Sequence, residues 1–264
     1  MCYDDLAQPP LPPGQTETTT SEDLVLTASD GNRLSAFAAY PTRPAKALVA
    51  IFGDAGGLSP FYRSLAIRFA EVGIAAIAMD HYGRSAGLAT VRDGSFDFMP
   101  HLRQLTLHGL LADSEAALNY LRSQVNPPTA TFTVGFCMGG ALSFLNGVGD
   151  VRLAGVIGFY AFSGKAAFFD DHSFLDSTEQ ITCPVLGLFG DADTVIPVSD
   201  VQLFDERLDT AGVEHEIVLY ADAPHGFFEL GRPEFADASA NAWERVLAFI
   251  ERHASSTQEM RFQA

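Results

Sequence analysis

Lysine is nearly missing from this chain: Lys46 and Lys165 are the only two among 264 residues. Basic residues number 16 and acidic residues 33, so the formal charge is 16 − 33 = −17 at pH 7. A field of that sign repels a phosphate backbone or an anionic bilayer, and neither nucleic acid nor a membrane is expected as a partner. An anionic small molecule is still admissible, because one Arg can reverse the sign inside a single pocket. Cysteine is scarce as well. Cys2, Cys137 and Cys183 are too few and too scattered for a disulfide framework, and no two have metal-ligand spacing, which fits a reducing compartment. No apolar run approaches the roughly 20 residues that cross a bilayer. Met1-Cys2-Tyr3-Asp4-Asp5 has neither the basic stretch nor the apolar block of a secretory signal, so a cytoplasmic location is expected. Charged residues are only 19% of the chain and apolar ones 47%, a balance that disfavours disordered arms, coiled coils and collagen-like repeats.

What is present reads as one large core. Residues 1–21 are rich in Pro and Thr and lack periodicity, so they are expected to form an extended arm over the surface, with no obvious chemistry and its role left open. Residues 22–264 are expected to form a single domain, since no repeat or linker divides them. Two strands, Leu24 to Thr27 and Leu34 to Tyr40, should pair as a hairpin about Asp30-Gly31-Asn32. From Ala47 onward, short apolar runs alternate with helical patterns: a strand from Ala47 to Phe52, a helix from Pro60 to Val72, a strand from Ile74 to Met79. The rhythm returns as a helix from Leu105 to Leu121, a strand from Thr131 to Val134, a helix from Ala141 to Asn146 and a strand from Ala154 to Tyr160. It ends with strands Val185 to Phe189 and Glu214 to Tyr220 around a helix from Ser199 to Ala211, then a helix from Pro233 to His253. Strands apolar on both faces alternating with helices imply an α/β class, with a mostly parallel sheet covered by helices on both faces. Two stretches break the rhythm, Arg84 to Pro100 and Ala161 to Gln180. Their aromatics (Phe96, Phe98, Phe168, Phe169, Phe174) suit either a pocket wall or plain surface anchoring.

After the strand at Thr131 comes Gly135-Phe136-Cys137-Met138-Gly139-Gly140 and then a helix. This is a nucleophile elbow with Cys where Ser is usual. Glycines flanking the turn remove the Cβ atoms that would collide there, and a helix amino terminus favours the thiolate. Downstream, Asp191 and Asp193 follow one strand and His225 follows the next. The order nucleophile, acid, histidine is the one the α/β-hydrolase fold requires. Of the two acids Asp193 is preferred for its place between Gly190 and Pro197, so the expected catalytic set is Cys137, Asp193 and His225. An oxyanion hole would combine the N–H of Met138 with that of Ala55, in the Asp54-Ala55-Gly56-Gly57 loop after an earlier strand. The remaining histidines have no metal-ligand spacing, and no metal is expected.

These motifs, together with Ser29-Asp30-Gly31, Asp80-His81-Tyr82-Gly83-Arg84 and His225-Gly226-Phe227, make the chain resemble the dienelactone hydrolase (carboxymethylenebutenolidase-like) family from about Thr27 to His253. The resemblance implies a Cys-His-Asp triad that opens an enol-lactone or activated ester through a thioester, with no cofactor and a small-molecule lactone or ester as partner. It further implies that the acid at position 54, commonly Glu in the family and here Asp54, modulates the thiol. Tyr82 and Arg84 match positions that contact substrate, the Arg through a carboxylate. A second substrate Arg belongs four residues after the histidine, where this chain has Glu229, so a broader carboxylesterase or thioesterase is the competing expectation, ahead of a non-catalytic binding protein on the same fold. The choice between monomer and homodimer is left open.

Overall fold

The computed structural model describes residues 2–14, 16–125, 129–149, 152–166 and 169–262, with side chains to residue 255; Phe168 lies outside them. Three runs of six residues without a charge, Ala47–Phe52 (β3), Ile74–Met79 (β4) and Thr131–Phe136 (β5), are buried along their whole length. Strands with no wet face must lie inside a sheet covered on both sides. They do, in an eight-stranded sheet of order β1-β2-β4-β3-β5-β6-β7-β8. The remaining strands are Thr19–Thr27 (β1), Arg33–Pro41 (β2), Gly155–Phe159 (β6), Val185–Gly190 (β7) and His215–Tyr220 (β8). β2 runs antiparallel to β1 and β4, and every pairing from β4 to β8 is parallel. This is the expected α/β-hydrolase arrangement with an antiparallel amino-terminal hairpin. β1 begins earlier than its apolar alternation suggests, inside the expected arm, because residues 19–23 are held by ladder pairing with β2 while their side chains face water.

Helices fill the crossovers. α1 (Pro60–Glu71) starts on Pro60, whose missing N–H costs nothing in a first turn, and ends before Gly73 at φ +86°. Short turns α2 (Gly83–Ala86) and α3 (Met99–Leu102) lie in the first long loop, and α4 (Leu107–Ser123) is capped by the Thr106 hydroxyl, which accepts from Gly109 N at 3.2 Å. α5 (Met138–Asn146) starts three residues before the expected Ala141. Its first turn contains Gly139 and Gly140, whose poor helix propensity hid it, and which tertiary contact demands. α6 (Val198–Ala211) ends on the left-handed Gly212, and α7 (Ala236–Phe262) follows a single tight turn at Pro233–Phe235.

β4 returns on one side of β3 and β5 on the other, so the chain reverses its direction of travel across the sheet between β3 and β5. Loops leaving the carboxyl ends of those two strands diverge and open a crevice, the usual ligand position in open α/β sheets. Beneath it Phe136 stacks on Phe159, ring centroids 4.6 Å apart, and meets Tyr62, Tyr160 and Phe228. At about 0.5–1.5 kcal/mol per aromatic pair beyond simple burial, this floor is rigid.

Candidate active site

Cys137 sits between β5 and α5 at φ 54°, ψ −116°, a left-handed conformation that a residue with a Cβ adopts only when its surroundings impose it. The surroundings here are backbone. Cys137 N donates to Phe159 O at 3.0 Å, and Cys137 O accepts from Phe162 N and Gly140 N, each at 3.0 Å. A Cβ on Gly135 would stand 1.8 Å from Gly139 O, and one on Gly139 would stand 2.1 Å from Phe52 O. The glycines therefore let α5 press against both β5 and the end of β3.

The loops after β7 and β8 bring the other two side chains. His225 Nδ1 lies 2.7 Å from Asp193 Oδ2. The other Asp193 oxygen accepts from Val195 N at 2.7 Å and Ile196 N at 3.0 Å, so the carboxylate is fixed at both ends and wholly buried. Asp191 faces elsewhere, accepting from Asp222 N at 2.6 Å. A ring nitrogen of His225 lies within 4.8 Å of Cys137 Sγ. Among the described residues, neither Met138 N–H nor Ala55 N–H has a hydrogen-bond acceptor. The Tyr82 hydroxyl donates to Ala55 O at 2.6 Å and braces that loop. The Arg84 guanidinium is bound by Asp113 at 2.8 and 3.0 Å, by Asp30 and by Gly109 O. Glu229 is paired with Arg232 at 3.0 Å.

The amino-terminal arm supplies what sequence reading did not anticipate. Cys2 reaches the site: its Sγ, that of Cys137 and a ring nitrogen of His225 lie within 4.8 Å of one another. Asp54 accepts from Cys2 N and from Gly56 N, so it meets the arm beside the thiol. Tyr3 stacks on Phe61 at 3.6 Å and hydrogen-bonds the Tyr160 hydroxyl, while Trp243 Nε1 donates to Pro10 O at 2.9 Å. The signal was faint: a Cys and a Tyr ahead of a proline-rich run, with no periodicity to place them. Cys2, Cys137 and His225 are also the one set of donors among the described residues that could ligate a metal. Two sulfurs and an imidazole suit zinc, although such binding would consume the thiol.

The hydrogen bond from Cys2 does most to lower the Cys137 pKa; burial and Asp54 oppose it, and the hydrogen bond and charge of His225 add to the lowering, leaving the thiol at about 6. Cys2 moves well above the ordinary thiol value, through its hydrogen bond to Cys137, burial and the neighbouring thiolate. Burial disfavours a charged His225, but its bonds to Asp193 and Cys137 prevail and raise it to about 9. From about pH 6 to about pH 9 the resting pair is thus thiolate and imidazolium. Its contribution to stability is lost as pH falls through the lowered thiol value or rises through the raised imidazole value. Alkylation of Cys137 by iodoacetamide should therefore rise through about pH 6 and then flatten. His225→Ala should move that midpoint upward toward the ordinary ~8.5 of a free thiol. An unshifted midpoint in the variant would contradict the pairing.

A cysteine on the strand-to-helix elbow after β5, with a buried carboxylate and a histidine on the loops after β7 and β8 of a mostly parallel sheet, is the arrangement of an α/β-hydrolase. The model of the dienelactone hydrolase family matches residues 34–254. The chain belongs to the dienelactone hydrolase family and is a carboxylic ester hydrolase by that membership. It is 27% identical over 260 residues to the "Putative carboxymethylenebutenolidase" of Salmonella typhimurium, with 94% of each chain covered. Among solved structures it is similar to a "Putative Dienelactone Hydrolase" from Klebsiella pneumoniae, with a TM-score of 0.75, 23% identity, and 89% of this chain and 99% of that one covered. It also shares its fold with an esterase of Pyrococcus furiosus, with a TM-score of 0.67, 16% identity, and 93% and 98% covered. No helix among the described residues is long and apolar enough to cross a membrane.

Proposed function

We propose that this protein cleaves lactones or activated esters by covalent catalysis at Cys137, and that its preferred acyl groups are uncharged. The reading is supported most by the nearness of Cys137 sulfur to a His225 ring nitrogen, within 4.8 Å, together with the 2.7 Å contact from His225 Nδ1 to the buried Asp193. The thiolate attacks the carbonyl carbon, and the oxyanion that forms is held by Met138 N–H and Ala55 N–H. Collapse expels an enolate or alkoxide, which takes its proton from the His225 imidazolium and leaves an acyl thioester on Cys137. Neutral His225 then activates water, and hydrolysis returns the thiolate. Throughout, Asp193 holds the ring with Nδ1 protonated and Nε2 toward sulfur. A thiolate is itself a good leaving group, so stabilised leaving groups such as enolates are favoured and simple alkyl esters react slowly.

The preference for neutral acyl groups rests on Arg84 and Glu229. Two carboxylates already neutralise the Arg84 guanidinium, and where the family resemblance implied a second Arg this chain has Glu229, itself paired with Arg232, so no free cation is offered there to a substrate carboxylate. The broader carboxylesterase reading is favoured by the same pair of observations. Mass spectrometry after rapid acid quench should find the acyl group of an activated ester on the Cys137 peptide. A neutral ester should acylate it faster than an otherwise matched ester bearing a carboxylate. Acylation of any other residue would refute the mechanism, and faster labelling by the anionic ester would refute the preference.

A further inference from the structure

We propose that Cys2 is the resolving partner of Cys137: a hydroperoxide oxidises the nucleophile, and a reversible Cys2–Cys137 disulfide then switches the hydrolase off with the arm locked across the site. The inference rests on the reading of Cys137 as the nucleophile and adds a modification site to it. Cys2 forms and breaks no bond in the acyl-transfer steps, yet its sulfur shares a 4.8 Å neighbourhood with that of Cys137. Four contacts hold it there. Asp54 binds its N–H, the Tyr3 ring lies on Phe61, Gln8 O accepts from Leu230 N at 2.9 Å, and Pro10 O accepts from Trp243. Cys2 also lies over Gly226, where a Cβ would meet the Cys2 carbonyl oxygen at 3.4 Å and its Cβ at 3.6 Å. An arm tethered at several points keeps its thiol at high effective concentration, and closing to a bond needs only a short movement of a terminal segment.

A partly exposed thiolate beside a second thiol is the arrangement in which sulfenic acid is captured as a disulfide before it oxidises further. In the first step Cys137 sulfur attacks the terminal oxygen of the hydroperoxide. The O–O bond breaks, sulfur loses two electrons to give Cys137–SOH, and an alcohol, or water from hydrogen peroxide, departs. In the second step Cys2 sulfur attacks the sulfenic sulfur, the S–O bond breaks, and water leaves carrying the Cys2 proton. Two thiols and one hydroperoxide thus become one disulfide, one alcohol and one water. The bond consumes the nucleophile, and a small thiol reductant restores both groups.

The test uses the full chain without an amino-terminal tag, reduced and then exposed to a slight excess of tert-butyl hydroperoxide. The expected result is loss of two hydrogens in the intact mass and a Cys2–Cys137 crosslinked peptide under non-reducing conditions. Activity should fall by about tenfold or more and return with dithiothreitol, each value being referred to the same protein before oxidation. Cys2→Ser should instead accumulate sulfinic or sulfonic Cys137 and stay inactive after the reductant. Wild-type protein whose Cys137 goes to sulfinate with no crosslink would overturn the proposal, while thioester formation by the same preparation before oxidation would leave the hydrolase reading standing. A crosslink in protein that forms no thioester would do the reverse.

Discussion

Cys137→Ala is expected to lower kcat/KM for an activated ester by about 10³- to 10⁴-fold or more, a loss of roughly 4–5.5 kcal/mol of transition-state stabilisation. Alanine keeps the Cβ in the strained elbow and removes only sulfur. The backbone bonds to Phe159 O, Phe162 N and Gly140 N are untouched, so thermal unfolding should stay near that of the wild type. The variant also deprives His225 of the hydrogen bond and charge of Cys137, which are among the causes of its raised pKa. Residual turnover should come only from the oxyanion donors and the imidazole acting on water. Steady-state kinetics beside a melting curve check both halves of the expectation. Activity within tenfold of wild type in a folded variant would remove Cys137 from the mechanism.

The second large effect is on stability. Gly135→Ala places a methyl group 1.8 Å from Gly139 O, 2.3 Å from its carbonyl carbon and 2.7 Å from Gly140 N. All three are backbone atoms in a buried helix turn, so no flexible side-chain end can swing aside. Relief requires moving α5 off β5, which also displaces Cys137 and the Met138 N–H. A loss above about 4 kcal/mol, or no soluble protein, is expected; overpacking of this kind lies at the far end of single-substitution effects. Gly212→Ala is the matched control. It has a left-handed φ of +69° and nothing within 4 Å of its added Cβ, so it should cost about 1–2 kcal/mol. Urea unfolding of the two variants beside wild type makes the comparison. Equal losses at the two positions would mean that the elbow is held by conformation alone and not by close approach.

Much of the frame was legible because it is local. Apolar runs bounded by Gly and Pro located β3, β4 and β7 to within a residue, and Pro60 and Gly212 marked helix ends that the structure keeps. The site motifs were legible for the same reason, since an elbow needs its glycines within a few residues of the nucleophile. Three features were not. β1 begins at Thr19 because pairing with β2, not side-chain alternation, holds its first half. The binding of Arg84 by Asp113, distant in the chain, leaves no local signal. Cys2 reads as a stray terminal thiol until the arm is followed back over the sheet.

The linear order of residues thus determined the class of fold and the chemical type of each candidate group, because hydrophobic period, turn residues and motif spacing act over a few positions. Tertiary structure alone decided how Arg84 spends its charge and that a second sulfur stands beside Cys137. Those outcomes depend on distances between segments separated by tens to more than a hundred residues. Such distances are set by how the strands are ordered across the sheet and where the arm crosses it, which no local pattern encodes.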